Sequence, residues 1–88
     1  MKGPDDQVVK VAKALADKTR VKILRELVKH GPISCGDAGK VTFLSQPAVS
    51  HHLKVLADAD LIVTHKEGRH VVASVNRAVL KKFASLLP

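Results

Sequence analysis

Ser45, Gln46, Ser50 and His51 carry short hydrogen-bonding groups of the kind that reach the edges of DNA bases. They fall within residues 42–61, TFLSQPAVSHHLKVLADADL, which read as a turn feeding one capped amphipathic helix. Ser45 suits the N-cap, since its hydroxyl can accept from free amides of the first turn. Pro47 then falls inside that first turn, where a missing N–H is harmless. At 100° per residue Val49, Leu53 and Leu56 form an apolar stripe, while Pro47, Ser50, His51, Lys54 and Asp58 point away from it. An ordinary solvated face would be richer in Glu and Lys. A helix laid in the major groove needs groups such as these near its start.

A reading helix needs a mount and a polyanion-compatible charge. The chain has 88 residues and a formal charge of +7, which suits a polyanionic partner. The charge is uneven. Residues 1–40 and 76–88 carry the excess, whereas 41–75 balances Lys54, Lys66 and Arg69 against Asp58, Asp60 and Glu67. A generic basic surface therefore remains an open reading of the charge alone. With 45% apolar but only 2% aromatic residues, the core must be aliphatic and small. The length fits one domain over 1–88, and a second copy would help a core of this size. No apolar run approaches a membrane span and no signal leader opens the chain. The single cysteine, Cys35, leaves no intrachain disulfide and fits a reducing cytoplasm.

Around the reading helix the periodicity predicts a mainly α fold with a small β-hairpin, in the order α-α-(β)-α-α-β-β-α. A first helix spans Asp5–Ala16, with Val8, Val11, Ala12 and Leu15 on one face. Asp17 caps a second, which Gly31-Pro32 stops near His30. Its broad apolar band (Val21, Ile23, Leu24, Leu27, Val28) predicts a central helix buried on two sides. Two glycines in residues 32–41 make a long helix costly there. A brief extended piece at Ile33 and a short helix over Asp37–Val41 fit better. That helix, a turn and the Ser45 helix make a helix-turn-helix. The β-rich runs at 61–64 and 71–75 flank Lys66-Glu67-Gly68-Arg69. A two-residue turn at Glu67-Gly68 would set His65 opposite His70 and Ile62 opposite Ala73, with Lys66 and Arg69 at the tip. Asn76 caps a last helix bearing Val79, Leu80, Phe83, Leu86 and Leu87 on one side.

Taken together, ALADKTRVKILREL, LSQPAVSHHLKVL and KEGRHV resemble the ArsR/SmtB family of bacterial and archaeal winged-helix repressors, over about residues 8–83. The three segments match the family's Leu-x-Asp-x-Thr-Arg-x-x-Ile-Leu signature, its recognition helix and its wing. The resemblance implies a homodimer joined through the first and last helices and bound to a short inverted repeat. It also implies repression relieved when a metal ion or other signal alters the dimer. Here the chain departs from the family. Aligned on Ser45-Gln46-Pro47, the two positions of the family's cysteine pair hold Ser34 and Gly36, with Cys35 between them. The last helix, RAVLKKFASLLP, lacks the His, Asp and Glu of the second family metal site. Ala73 stands where a wing tyrosine is common, and Lys18 where proline is common.

The remaining reactive groups weigh toward structure. His52, at the edge of the stripe, reads as a packed and hydrogen-bonded residue. A His65–His70 pair would suit a transition metal, but two imidazoles on a hairpin make a poor site without further donors. Cys35 has no sequence neighbour except Lys40 to activate its thiol. No nucleophile elbow, phosphate-cradling loop or paired carboxylate motif supports catalysis. No metal site and no cofactor are expected, and the residues name no inducer.

The expectation is a cytoplasmic, sequence-specific transcriptional repressor that binds double-stranded DNA as a homodimer and does not engage membranes. Its candidate DNA contacts are Lys40, Thr42, Ser45, Gln46, Ala48, Ser50, His51, Lys54, Lys66 and Arg69. Among these, Gln46, Ser50 and His51 would read bases, and Lys40, Lys54, Lys66 and Arg69 would neutralise phosphates. Val8, Ala12, Leu15, Val79, Phe83 and Leu86 are the candidate dimer interface. A low-specificity architectural or protein-interaction module of the same fold is the alternative.

Overall fold

A computed structural model of the chain describes residues 4–85. Its elements are α1 (Pro4–Leu15), α2 (Lys18–His30), β1 (Ile33–Ser34), α3 (Cys35–Thr42), α4 (Gln46–Asp58), β2 (Ile62–Glu67), β3 (His70–Val75) and α5 (Arg77–Ala84). The strands form an antiparallel sheet in the order β1-β3-β2. This is a winged helix-turn-helix in the expected element order, with β1 as a third strand beside the hairpin.

Polar caps explain where the helices begin. Asp17 Oδ1 accepts the Arg20 N–H at 3.0 Å, Ser45 Oγ the Ala48 N–H at 3.4 Å, and Asn76 Oδ1 the Val79 N–H at 3.3 Å. Each offsets one of the amides a helix start leaves unpaired. The same device lengthens α3 beyond the expected Asp37–Val41. Ser34 Oγ accepts the Asp37 N–H at 3.1 Å, so the helix starts at Cys35 and holds Asp37 in its first turn, where its charge suits the dipole.

Helix ends are equally local. Gly31, at φ +84°, closes α2 by donating its N–H to Leu27 O at 3.0 Å. Helix α4 ends in a Schellman arrangement. Leu61 N–H reaches back to Leu56 O at 3.1 Å and Asp60 N–H to Ala57 O at 2.9 Å, with Asp60 left-handed at φ 62°. Leu56 and Leu61 are both fully buried, which supplies the apolar contact that accompanies such a cap.

The core is aliphatic throughout. Ile23, Leu27, Val49, Leu56, Leu61 and Ile62 are its largest fully buried side chains, from α2, α4, the α4–β2 connection and the start of β2. Val11 and Ala14 add the inner side of α1, and Ala38 and Ala73 add α3 and the sheet. The buried stripe of α4 is Val49, Leu53 and Leu56, as its periodicity predicts. The band on α2 is narrower than expected. Ile23, Leu24 and Leu27 are buried, but Val21 is only half-buried and Val28 is exposed, so α2 is covered along one side.

The hairpin register corrects the sequence reading. Glu67 pairs with His70, His65 with Val72 and Ile62 with Val75. The turn residues are therefore Gly68 and Arg69, not Glu67 and Gly68. Gly68 has φ +61° at the first central position and Arg69 is not left-handed, the arrangement of a type II′ turn. The expected facing of His65 and His70 is absent. Each partner moves by two residues, which keeps every side chain on its original face, so the apolar pattern could not tell the registers apart. Of the candidate interface residues, Leu86 lies outside the described residues.

The Asp17 cap makes stability depend on acid. The Arg20 N–H first, and then the Arg20 guanidinium, hold the Asp17 carboxyl below the usual aspartate value. The unfolded chain thus binds this proton more tightly than the folded one. The cap's contribution is complete above the unfolded pKa and is lost as pH falls through the lowered folded value. Urea midpoints of D17A are expected below those of the wild type at neutral pH, with the gap closing in acid. D17N, which keeps a capping oxygen without a titrating carboxyl, should fall less at neutral pH.

Candidate nucleic-acid interface

Helices α3 and α4 meet across residues 43–45, and a glycine sets how closely. A Cβ added to Gly39 would lie 2.7 Å from Gln46 Nε2, 3.4 Å from Leu44 O and 3.6 Å from Val49 Cγ2. Gly39 itself is buried. The amide end of Gln46 therefore rests over the α3 backbone, where any larger residue would displace it. The Phe43 N–H and the Leu44 N–H both turn back to Gly39 O, the latter at 3.3 Å. The turn is pinned at both ends, by this carbonyl and by the Ser45 cap.

Beyond the turn, Ser45, Gln46, Pro47, Ser50, His51 and Lys54 are all exposed, and Ala48 is half-buried. Beneath them Val49 and Leu56 are completely covered. No acidic residue occupies the first turn of α4, so the positive end of its dipole stays available to phosphate. Thr42 is committed locally. Its hydroxyl donates to Ala38 O at 2.8 Å and is half-buried at the end of α3. Lys40 lies 4.0 Å from Asp37 with 85% of its side chain exposed, an ion pair of little energy that leaves the ammonium in water. Ser50 Oγ lies 3.8 Å from Cys35 Sγ, on the flank of α4 that faces the sheet. That thiol borders a shallow, mostly apolar groove shared with Leu53, Ala57, Thr64 and Val71.

His51 and His52 part company as expected. His51 is exposed, while His52 is half-buried with its ring centroid 5.7 Å away. Arg20 Nη1 lies 3.3 Å from His52 Nδ1. Arginine only donates, so Nδ1 is the acceptor and the neutral ring carries its proton on Nε2. The same guanidinium donates through Nε to Ala14 O at 2.8 Å and through Nη2 to Lys13 O at 3.1 Å. Both carbonyls belong to the last turn of α1, and Lys13 O also accepts the Ala16 N–H at 3.2 Å. Sequence reasoning missed this role of Arg20, although its i, i+3 spacing from Asp17 is visible in the chain.

On the wing, Lys66 pairs with Val71 on the sheet face shared with Thr64 and Ala73, and Arg69 occupies the turn itself. Both side chains are exposed. His65 Nε2 lies 3.0 Å from Glu67 Oε1, a contact within one strand rather than across the hairpin. Among the described residues, no group of three or more His, Cys, Asp or Glu side chains converges as a metal site would need. Phe43, which sequence reasoning passed over, is 91% exposed at φ 58° in the turn before α4.

Residues 15–65 match the family model of a helix-turn-helix domain. The transcriptional repressor SdpR of Bacillus subtilis is 41% identical over 71 residues, covering 81% of this chain and 78% of that protein. Among solved structures, HlyU from Vibrio cholerae superposes with a TM-score of 0.80 at 30% identity, covering 98% of this chain and 92% of that one. A homodimeric winged helix-turn-helix DNA-binding domain from Mycobacterium bovis, a possible ArsR-family transcriptional regulator, gives 0.81 at 28% identity, covering 92% and 75%.

Gly39 separates folding from reading. In G39A the obstructing atom is the free end of Gln46, which can swing aside, and alanine favours the helix. Melting temperature should change little while affinity for a selected duplex falls. Equal loss in both would mean that Gly39 serves packing alone.

Proposed function

Because the chain belongs to the ArsR family of winged helix-turn-helix transcriptional regulators, DNA-binding proteins and not enzymes, we propose that it acts as a homodimeric, sequence-specific repressor. Its two α4 helices would enter successive major grooves of an inverted-repeat operator. One observation carries this reading. The first turns of α4 keep Gln46, Ser50 and His51 in solvent above a sealed apolar underside. Polar groups placed so can pair with base edges. Lys40, Lys54, Lys66 and Arg69 would meet phosphates, fixing register without reading sequence.

Dimerisation is supported by what the single chain leaves uncovered. Val8 is 39% and Leu15 37% exposed on α1, although Val11 and Ala14 of the same helix are buried. Ala12 is also exposed. Val79 and Phe83 are half-buried against the core, and α5 has no buried residue among those described. An apolar surface spread over the first and last helices suits a twofold partner. No described helix is long and apolar enough to cross a membrane, and a repressor of this kind would work in the cytoplasm, where its DNA lies.

Selection from random duplexes, followed by competition against non-specific DNA, tests the reading. A specificity ratio near one would favour a DNA-coating module instead. Q46A or H51A should cost about 1–3 kcal/mol at the selected site and relax discrimination there. R69A should instead weaken all duplexes alike and lower the salt slope by about 0.9 for each Arg69 removed. An unchanged slope would remove the wing from the interface.

A further inference from the structure

Phe43 combines two features that are costly apart and unexplained by the fold. It adopts φ 58°, ψ 32° at the C-cap of α3, a left-handed conformation in which bulky side chains are outliers and glycine or asparagine is usual. Its ring is also 91% exposed. The chain holds only two phenylalanines and no tryptophan or tyrosine. The other, Phe83, packs against the core, so half of the aromatic content stands in water. The ring does not belong to a loose loop. Its own N–H bonds to Gly39 O, and Ser45 two residues later caps α4. The backbone holds the ring immediately before the helix end that carries Ser45 and Gln46, one helical turn beyond exposed Lys40.

We infer that Phe43 is a DNA-contacting residue, laying its ring on apolar atoms at the edge of the groove that α4 enters. This rests on the reading of α4 as the DNA-facing helix. Duplex DNA offers two apolar surfaces within reach of such a side chain, the thymine methyl and the face of the deoxyribose, and phenylalanine suits the methyl. An apolar contact releases no counterions, so it adds affinity without salt dependence. That separates Phe43 from Lys40 and the wing cations.

Two variants and a probe test this with the full chain and its selected duplex. F43A removes the ring and keeps a residue with a Cβ at the left-handed position. F43G removes the ring and relieves the backbone. Both should lose about tenfold in affinity with the salt slope unchanged. F43G should nevertheless melt a few degrees higher than the wild type, and F43A close to it, since an exposed ring contributes little to folding. F43W introduces the sole indole of the chain, whose emission should be quenched on adding the duplex. Replacing thymine by deoxyuridine at the site edge reproduces the loss where the ring meets a methyl. The loss stays confined to F43A and F43G where it meets deoxyribose, and either result keeps the ring on DNA. Variants that bind as the wild type, with F43W emission unmoved by DNA, overturn the inference and leave the regulator reading standing. A wild-type protein without salt-dependent duplex binding overturns both.

Discussion

A single guanidinium ties the reading helix to the rest of the fold. Arg20 donates to Ala14 O and Lys13 O at the end of α1, lies 3.8 Å from the Asp17 carboxylate that caps α2, and donates to His52 on α4. Charge-assisted bonds of this kind are among the stronger polar contacts available to a protein. Here they join α1, α2 and α4 through one half-buried side chain. Two of the segments that resemble the family, ALADKTRVKILREL and LSQPAVSHHLKVL, meet through this contact, and His52 is spoken for by it. His51, one residue earlier, is exposed.

The second constraint is closeness. Helix α3 can support α4 only if its backbone approaches Leu44 and Gln46, and Gly39 allows it. The carbonyl of that glycine then accepts from the first two residues of the turn, Phe43 and Leu44. A rigid scaffold under an exposed polar face is what a recognition surface requires, because each bond to a base edge is directional and tolerates little play.

Much of the α4 geometry is legible in the sequence alone. Ser45, Pro47 and the 3.6-residue rhythm of Val49, Leu53 and Leu56 are local signals, and all concern one helix. Asp17, Gly31 and Asn76 mark boundaries by the same short-range chemistry. What escaped was non-local or degenerate. Gly39 reads from sequence as a helix weakener, since its worth depends on an atom seven residues away in another helix. Ser34 as a cap for α3 was hidden by the neighbouring glycines. Nothing in the pattern around Phe43 announces a left-handed backbone at a residue of that size. The hairpin turn failed for another reason, because Glu67-Gly68 and Gly68-Arg69 preserve the same inward and outward faces.

The placement of that turn matters beyond bookkeeping of registers. Shifting it by one residue lengthens the β2 arm by one strand step, roughly 3.4 Å, shortens the β3 arm by the same amount, and moves Arg69 into the turn. Successive phosphates along one DNA strand are also spaced by about 3.4 Å of helix rise. One residue of hairpin is thus comparable with one nucleotide of track. The position of Gly68 selects how far the arginine extends beyond the sheet, and under the proposed DNA contact that reach would set which phosphate it meets.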